Sequence, residues 1–92
     1  MKSSSSQPVY TVFISRTARK QLLQLPKPAT DRLQQVIDGL VANPRPFGAE
    51  KLTARDEYRI RVGNYRVLYT IADAVLTVEV VKVGQRGNFY DR

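Results

Sequence analysis

Arg59, Arg61 and Arg66 lie in the segment Tyr58-Arg59-Ile60-Arg61-Val62-Gly63-Asn64-Tyr65-Arg66-Val67-Leu68-Tyr69, which reads as two alternating strands joined by a Gly-Asn turn. Two-residue hairpin loops built from Gly and Asn favour the primed turns that match strand twist. With Gly63-Asn64 as the loop, Val62 faces Tyr65, Arg61 faces Arg66 and Arg59 faces Leu68. Side chains alternate along a strand, so the three arginines share one face. Tyr58, Ile60, Val62, Tyr65, Val67, Tyr69 and Ile71 share the other and read as core. Two cations directly opposite each other destabilise a sheet, and no neighbour in sequence obviously neutralises them. A polyanion would.

The chemistry such a cluster suits is that of a phosphodiester. Guanidinium groups hold phosphate oxygens and stabilise the extra negative charge of a pentacoordinate transition state. Arg86 follows the last predicted strand, and Tyr90 lies four residues further on. Both reach the same surface if the C-terminal segment folds back, and an aromatic ring there would stack an unpaired base. Lys51 and Arg55 are further candidates for phosphate contact. The chain has no histidine, which removes the commonest general base and every His-dependent triad. It has no cysteine either, and its carboxylates show no paired or metal-ligand spacing, so no metal site and no cofactor are expected.

The elements that must position these residues follow from periodicity. Residues 1–8 (MKSSSSQP) form a polar, low-complexity tail, expected to be flexible. Val9 to Ile14 is a β-rich run. Ser15 then caps a helix through Leu25, with Ala18, Leu22 and Leu25 on one stripe. Pro26 and Pro28 break it. A second helix runs from about Ala29 to Val41, with Leu33, Val36, Ile37, Leu40 and Val41 recurring at helical spacing, and Asn43-Pro44 and Pro46 end it. Phe47 to Glu57 is a connector in which Lys51-Leu52 begins a strand. The hairpin strands, about 58–62 and 65–71, lead through a turn at Asp73-Ala74 to a last strand, Val75 to Val83. That strand is apolar enough to be central in the sheet. The order β-α-α-β-β-β predicts an α+β fold, a small antiparallel-rich sheet with a helical hairpin packed on one face. Residues 9–92 are read as a single domain.

Bulk properties bound the partners. The 92 residues carry 15 Lys and Arg against 8 Asp and Glu, a formal charge of +7. That excess favours nucleic acid, anionic membrane or an acidic protein. No apolar run is long enough to span a membrane, no secretory segment is visible, and the absence of cysteine fits a reducing cytoplasm.

These residues together resemble the RelE/ParE superfamily of toxins from type II toxin–antitoxin systems, across Val9 to Tyr90. The resemblance is carried by the opening strand and helix (Tyr10-Thr-Val, then Ala18-Arg-Lys-Gln-Leu and Leu25), Asn43-Pro44 and Lys51-Leu52. Its most specific parts are the hairpin segment itself and Val83-Gly-Gln-Arg86 followed by Tyr90. The superfamily divides between RelE-like members, which cleave mRNA in the ribosomal A site, and ParE-like members, which poison DNA gyrase. The resemblance implies that Arg59 and Arg61 fill the two basic positions of the first hairpin strand, which lysines can also occupy. Arg66 fills the arginine position of the second strand, Arg86 the one after the final strand, and Tyr90 that of the C-terminal tyrosine. A related branch uses a Glu and a His near this site, a version excluded here. The implied activity is a metal-independent, ribosome-dependent endoribonuclease in which the 2′-OH attacks the adjacent phosphate, with Arg66 and Arg86 on the phosphate. Tyr90 would stack the nucleotide or take the 2′-OH proton; Arg59 and Arg61 are the other candidates for that proton, and the general base stays open. The implied partners are a cognate antitoxin, the ribosome and mRNA. A gyrase inhibitor, or a non-enzymatic RNA-binding module using the same basic sheet, are the alternatives.

Overall fold

The structure, a computed structural model, describes residues 9–52 and 56–85. Among these residues five strands form one sheet in the order β1-β5-β4-β3-β2, where β1 is Thr11–Ile14, β2 Glu50–Lys51, β3 Glu57–Val62, β4 Tyr65–Ala72 and β5 Thr77–Gln85. β1 runs parallel to β5, and the other pairs are antiparallel. Two helices, α1 (Arg16–Leu23) and α2 (Lys27–Gly39), join β1 at one edge to β2 at the other. That connection carries them across one face of the sheet, with α1 against β5 and α2 against β3. The α+β class and the helical hairpin over one face are as the sequence predicts, and the last strand is interior. No helix among the described residues is long and apolar enough to cross a membrane.

Several boundaries move, each for a local reason. Ser15 accepts a hydrogen bond from the Ala18 amide at 3.0 Å, the expected N-cap. α2 begins at Lys27 rather than Ala29, because Pro28 sits in the first turn, where its missing N–H has no intrahelical partner to lose. The two prolines therefore end one helix and open the next. The first strand begins at Thr11, and the last at Thr77. A 3-10 turn, Asp73–Val75, ends in Leu76 at φ 48°, and this left-handed step delays β5.

β5 also carries a bulge. Leu68 pairs with Lys82 but Tyr69 with Val80, so Val81 is an extra residue. Alternation resumes one position later, which buries Val78, Val80 and then Val83. This is why the strand reads as an almost unbroken apolar run. α1 stitches the bulge down: the Ser15 hydroxyl donates to the Val81 carbonyl at 3.2 Å, and Gln21 Oε1 accepts from the Val83 amide at 2.7 Å. The core joins Ala18 and Leu22 of α1, Leu33 and Ile37 of α2, and Ile60, Val62, Val67, Tyr69, Val78, Val80 and Val83 of the sheet.

A polar network fastens the end of the sheet opposite the hairpin turn. The Asp73 carboxylate accepts from the Tyr10 hydroxyl at 2.7 Å and from both terminal nitrogens of Arg45 at 3.2 and 2.8 Å. Arg45 Nε donates to the Tyr58 hydroxyl at 3.0 Å, and its guanidinium lies 5.3 Å from the centre of that ring. Tyr58 stacks on the buried Tyr69, whose hydroxyl donates to the Pro44 carbonyl at 2.8 Å. Tyr58, Tyr65 and Tyr69 thus serve packing, as the alternation implies. The Arg45 guanidinium and then the Tyr10 hydroxyl hold the Asp73 carboxyl down to about 2, against an ordinary value of 3.8. A lowered carboxyl favours the folded state above the unfolded pKa and loses that advantage as pH falls through the folded one. Asp73→Asn is therefore expected to unfold at lower urea concentration than wild type at pH 7. The gap between the two midpoints should close between about pH 4 and pH 2; a gap independent of pH would remove the carboxylate from this role.

Candidate functional site: an arginine face on the hairpin

The β3–β4 hairpin has the register read from its sequence: Val62 opposite Tyr65, Arg61 opposite Arg66, Arg59 opposite Leu68. Gly63 has φ 61° and Asn64 does not have positive φ, the pattern of a type II′ turn with glycine first. Ile60, Val62, Val67 and Tyr69 point into the core, so Arg59, Arg61 and Arg66 share the face that the helices leave uncovered. Cross-strand rows sort the charges on it. The row nearest the turn is Arg61, Arg66 and Gly84; the next is Arg59, Leu68 and Lys82; the third is Glu57, Thr70 and Glu79. The turn end of the face is cationic and the far end anionic.

The arginines share that face, as the alternation implies, but not one environment. Only Arg61 is exposed. Arg66 is buried, at 6% exposure, in the middle of the sheet; its Nε has no hydrogen-bond acceptor among the described residues, and the residue has other interactions. Arg59 is largely covered, and its Nη2 donates to Glu50 Oε1. Glu50 stands directly opposite Arg59 across the β2–β3 pair. Its carboxyl is lowered by that hydrogen bond and by the charge of Arg59, and further by the nearby charges of Arg61 and Arg66. A neutralising anion therefore exists within the chain, contrary to the reading from local sequence.

Lys51 does not join this group. It stands opposite Tyr58, on the other side of the sheet from Glu50, and lies 3.9 Å from Asp56. Arg55, Arg86 and Tyr90 lie outside the described residues. Beside Glu50 and Arg59 the face dips into a depression of about 330 Å³ lined by Phe47, Gly48, Glu50, Arg59, Ile60 and Arg61. Sequence reasoning passed over Glu50 and Phe47. The signal for Glu50 was the possibility of a return strand at Lys51, which, extended by one residue, sets a carboxylate across from Arg59.

Comparison with known proteins gives a consistent set of relatives. Residues 12–90 match the family model described as the ParE toxin of type II toxin–antitoxin system, parDE. A relative assigned as toxin RelE1, from Methanocaldococcus jannaschii, is 29% identical over 85 residues, spanning 88% of this chain and 94% of its own length. The archaeal RelE–RelB complex from Pyrococcus horikoshii contains a chain 30% identical with a TM-score of 0.75, covering 86% of this chain and 97% of that one. The toxin–antitoxin complex RelBE2 from Mycobacterium tuberculosis gives 29% identity and a TM-score of 0.75, over 85% and 99% of the two chains.

Opposed cations set a stability test independent of any activity. Replacing Arg61 by threonine removes one of the facing pair and keeps a good strand residue. Arg61→Thr should raise the unfolding free energy by about 0.2–1 kcal/mol at low salt, measured by urea titration. The gain should shrink only in part as salt is raised, because Arg66 is buried and a buried charge is screened much less than an exposed one. A variant less stable than wild type at low salt would show that the pair is not repulsive in this setting.

Proposed function

The chain belongs to the ParE toxin family of type II toxin–antitoxin systems, and on that premise we propose that it acts as RelE-like toxins do, cleaving mRNA in the ribosomal A site and so stopping translation. The observation that carries the reading is the gathering of Arg59, Arg61 and Arg66 at one end of the sheet face opposite the helices. A sheet built for packing or for a protein contact has no need to oppose two arginines at a cost. Two relatives at similar identity over nearly their full length are RelE proteins, which supports this branch over gyrase inhibition, the reading that the family's ParE name favours.

In the proposed reaction the ribose 2′-oxygen attacks the adjacent phosphorus, the P–O5′ bond breaks, and the products are a 2′,3′-cyclic phosphate and a 5′-OH. The 2′-OH proton leaves as the new bond forms, and the departing 5′-oxygen gains one. Arg61 and Arg59 meet the substrate phosphates at the surface. Arg66, beneath them, contributes its charge to the developing dianion from a low-dielectric position, where such a charge acts more strongly than in water. Arg86 and Tyr90 complete the set as phosphate ligand and stacking ring. The acid–base equipment is weak: arginine stays protonated up to about pH 12 or beyond, and an unperturbed tyrosine titrates near pH ~10. Dependence on the ribosome fits that weakness, because an imposed in-line geometry can supply ~7–11 kcal/mol of the barrier.

A cognate antitoxin is the second proposed partner, an acidic or amphipathic segment complementary to the +7 charge; the similar structures include the toxin–antitoxin complex RelBE2 and a RelE–RelB complex. A cytoplasmic location follows from a ribosomal target.

Primer extension on a reporter mRNA, with purified protein and with or without programmed ribosomes, tests the reading. Cleavage is expected only with ribosomes. Arg66→Ala or Arg86→Ala should lower its rate about 10²–10³-fold while circular dichroism shows the fold retained. Undiminished cleavage by folded Arg66→Ala would remove that residue from the site. Intact mRNA together with DNA damage on expression would replace the nuclease with a gyrase inhibitor.

A further inference from the structure

Phe47 is the most exposed large apolar side chain among the described residues, and its place in the chain is fixed. The Ala49 amide donates to the Pro46 carbonyl at 3.0 Å, closing a turn with Phe47 and Gly48 at its centre. Gly48 has φ 97°, a conformation that L side chains rarely adopt. The turn holds the Phe47 ring fully in solvent, beside the depression lined by Phe47, Gly48, Glu50, Arg59, Ile60 and Arg61. Phe47, two arginines and a glutamate whose carboxylate is bound to one of them therefore meet at a single recess. Its volume, about 330 Å³, sits at the small end of the ~300–1,000 Å³ typical of ligand sites, room for one nucleotide rather than a long segment.

The geometry points to a nucleotide subsite, distinct from the scissile position, in which the Phe47 ring stacks one base of a single-stranded RNA and Arg59 with Arg61 holds its phosphate. Glu50 occupies the phosphate's place on Arg59 in the uncomplexed protein and is displaced when RNA enters. The inference rests on the RNA reading above, shares Arg59 and Arg61 with it, and adds Phe47 and Glu50. A purely acidic peptide would satisfy the arginines and leave the presented ring bare, whereas a nucleotide engages ring and cations together. The lowered carboxyl of Glu50 agrees with its role as resident anion.

The probe is a short single-stranded RNA made uncleavable by 2′-deoxy substitution and carrying 2-aminopurine, titrated into the full-length protein without ribosomes. Wild type should bind it and quench its fluorescence by stacking. Phe47→Ala should weaken binding about 5- to 150-fold, the range equivalent to one lost base–aromatic stack, and abolish the quench. Phe47→Trp should restore both and Phe47→Leu neither. Glu50→Gln should tighten binding about two- to fivefold, matching the strength of an exposed ion pair, and have no effect once Arg59 is alanine. Binding by Phe47→Ala equal to wild type overturns the subsite. So does an unquenched probe, or a polyglutamate peptide that binds through Phe47 while RNA does not. Unchanged or weaker binding by Glu50→Gln overturns its role as displaced anion. A protein that cleaves on ribosomes but leaves the probe unquenched fails in this subsite alone; one that quenches without cleaving fails as a nuclease and keeps the subsite.

Discussion

Burying Ile60, Val62, Val67 and Tyr69 on one side of the β3–β4 hairpin drives Arg59, Arg61 and Arg66 to the other, because successive side chains on a strand point to opposite faces. The magnitudes make this arrangement stable. Each of the three aliphatic residues contributes about 1.5–3 kcal/mol by leaving water, while a pair of like charges across a sheet costs about 0.2–1 kcal/mol. A slip of one residue would relieve the repulsion only by turning the whole apolar set outward. The hydrophobic register therefore holds the cations together against their own repulsion. The Gly63 turn sets that register locally, and the core contacts from α1 and α2 set it globally.

The consequences of crowding cations are distributed through the sheet. Arg59 takes Glu50 as counter-ion across β2–β3, which gives the two-residue strand β2 an electrostatic as well as a hydrogen-bonding part. Arg66 is central and buried, opposite Gly84, which has no side chain to crowd it. Arg61, at the turn, stays in water. Three arginines of one sequence pattern thus differ in desolvation and pairing. At the opposite end of the sheet Arg45 satisfies every demand made on it: its charge is met by Asp73 and its ring contact by Tyr58. The contrast separates a cation at the edge of the fold, held by one carboxylate and one ring, from cations crowded together by the register of the hairpin.

Much of this architecture was legible from sequence where the signals are local. The hairpin register followed from a two-residue turn and strict alternation, the helices from 3.6-residue spacing, and the N-cap at Ser15 from a single side chain. Where two elements decide jointly, local reading failed. The start of α2 was misplaced because proline was read as a breaker and not as a first-turn residue. The bulge at Val81 exists because α1 and β4 both claim the backbone of β5, and no run of apolar residues reveals that. Glu50 escaped notice for the same reason: its pairing with Arg59 depends on β2 returning beside β3. The depth at which Arg66 sits is a property of the whole sheet, whereas its face was readable from parity. The remaining site candidates, Arg55, Arg86 and Tyr90, lie outside the described residues.

The composition of the site, on the nuclease reading, also limits how the work of catalysis is divided. A chain without histidine stabilises charge well and moves protons poorly. Charge-stabilising contacts are each worth about 10²–10³ in rate, equivalent to roughly 3–4 kcal/mol, and arginine is well suited to them. Fixing the 2′-oxygen, phosphorus and leaving oxygen in line is worth more, ~7–11 kcal/mol, and needs a grip on the RNA over several nucleotides. The arginine face is a few residues wide and its recess, about 330 Å³, has room for one nucleotide, so on that reading it orients a substrate presented to it better than it gathers one from solution. Most of the alignment must then come from whatever presents the message. A toxin built this way is quiet until its substrate arrives already in place, because what it adds is charge at a point.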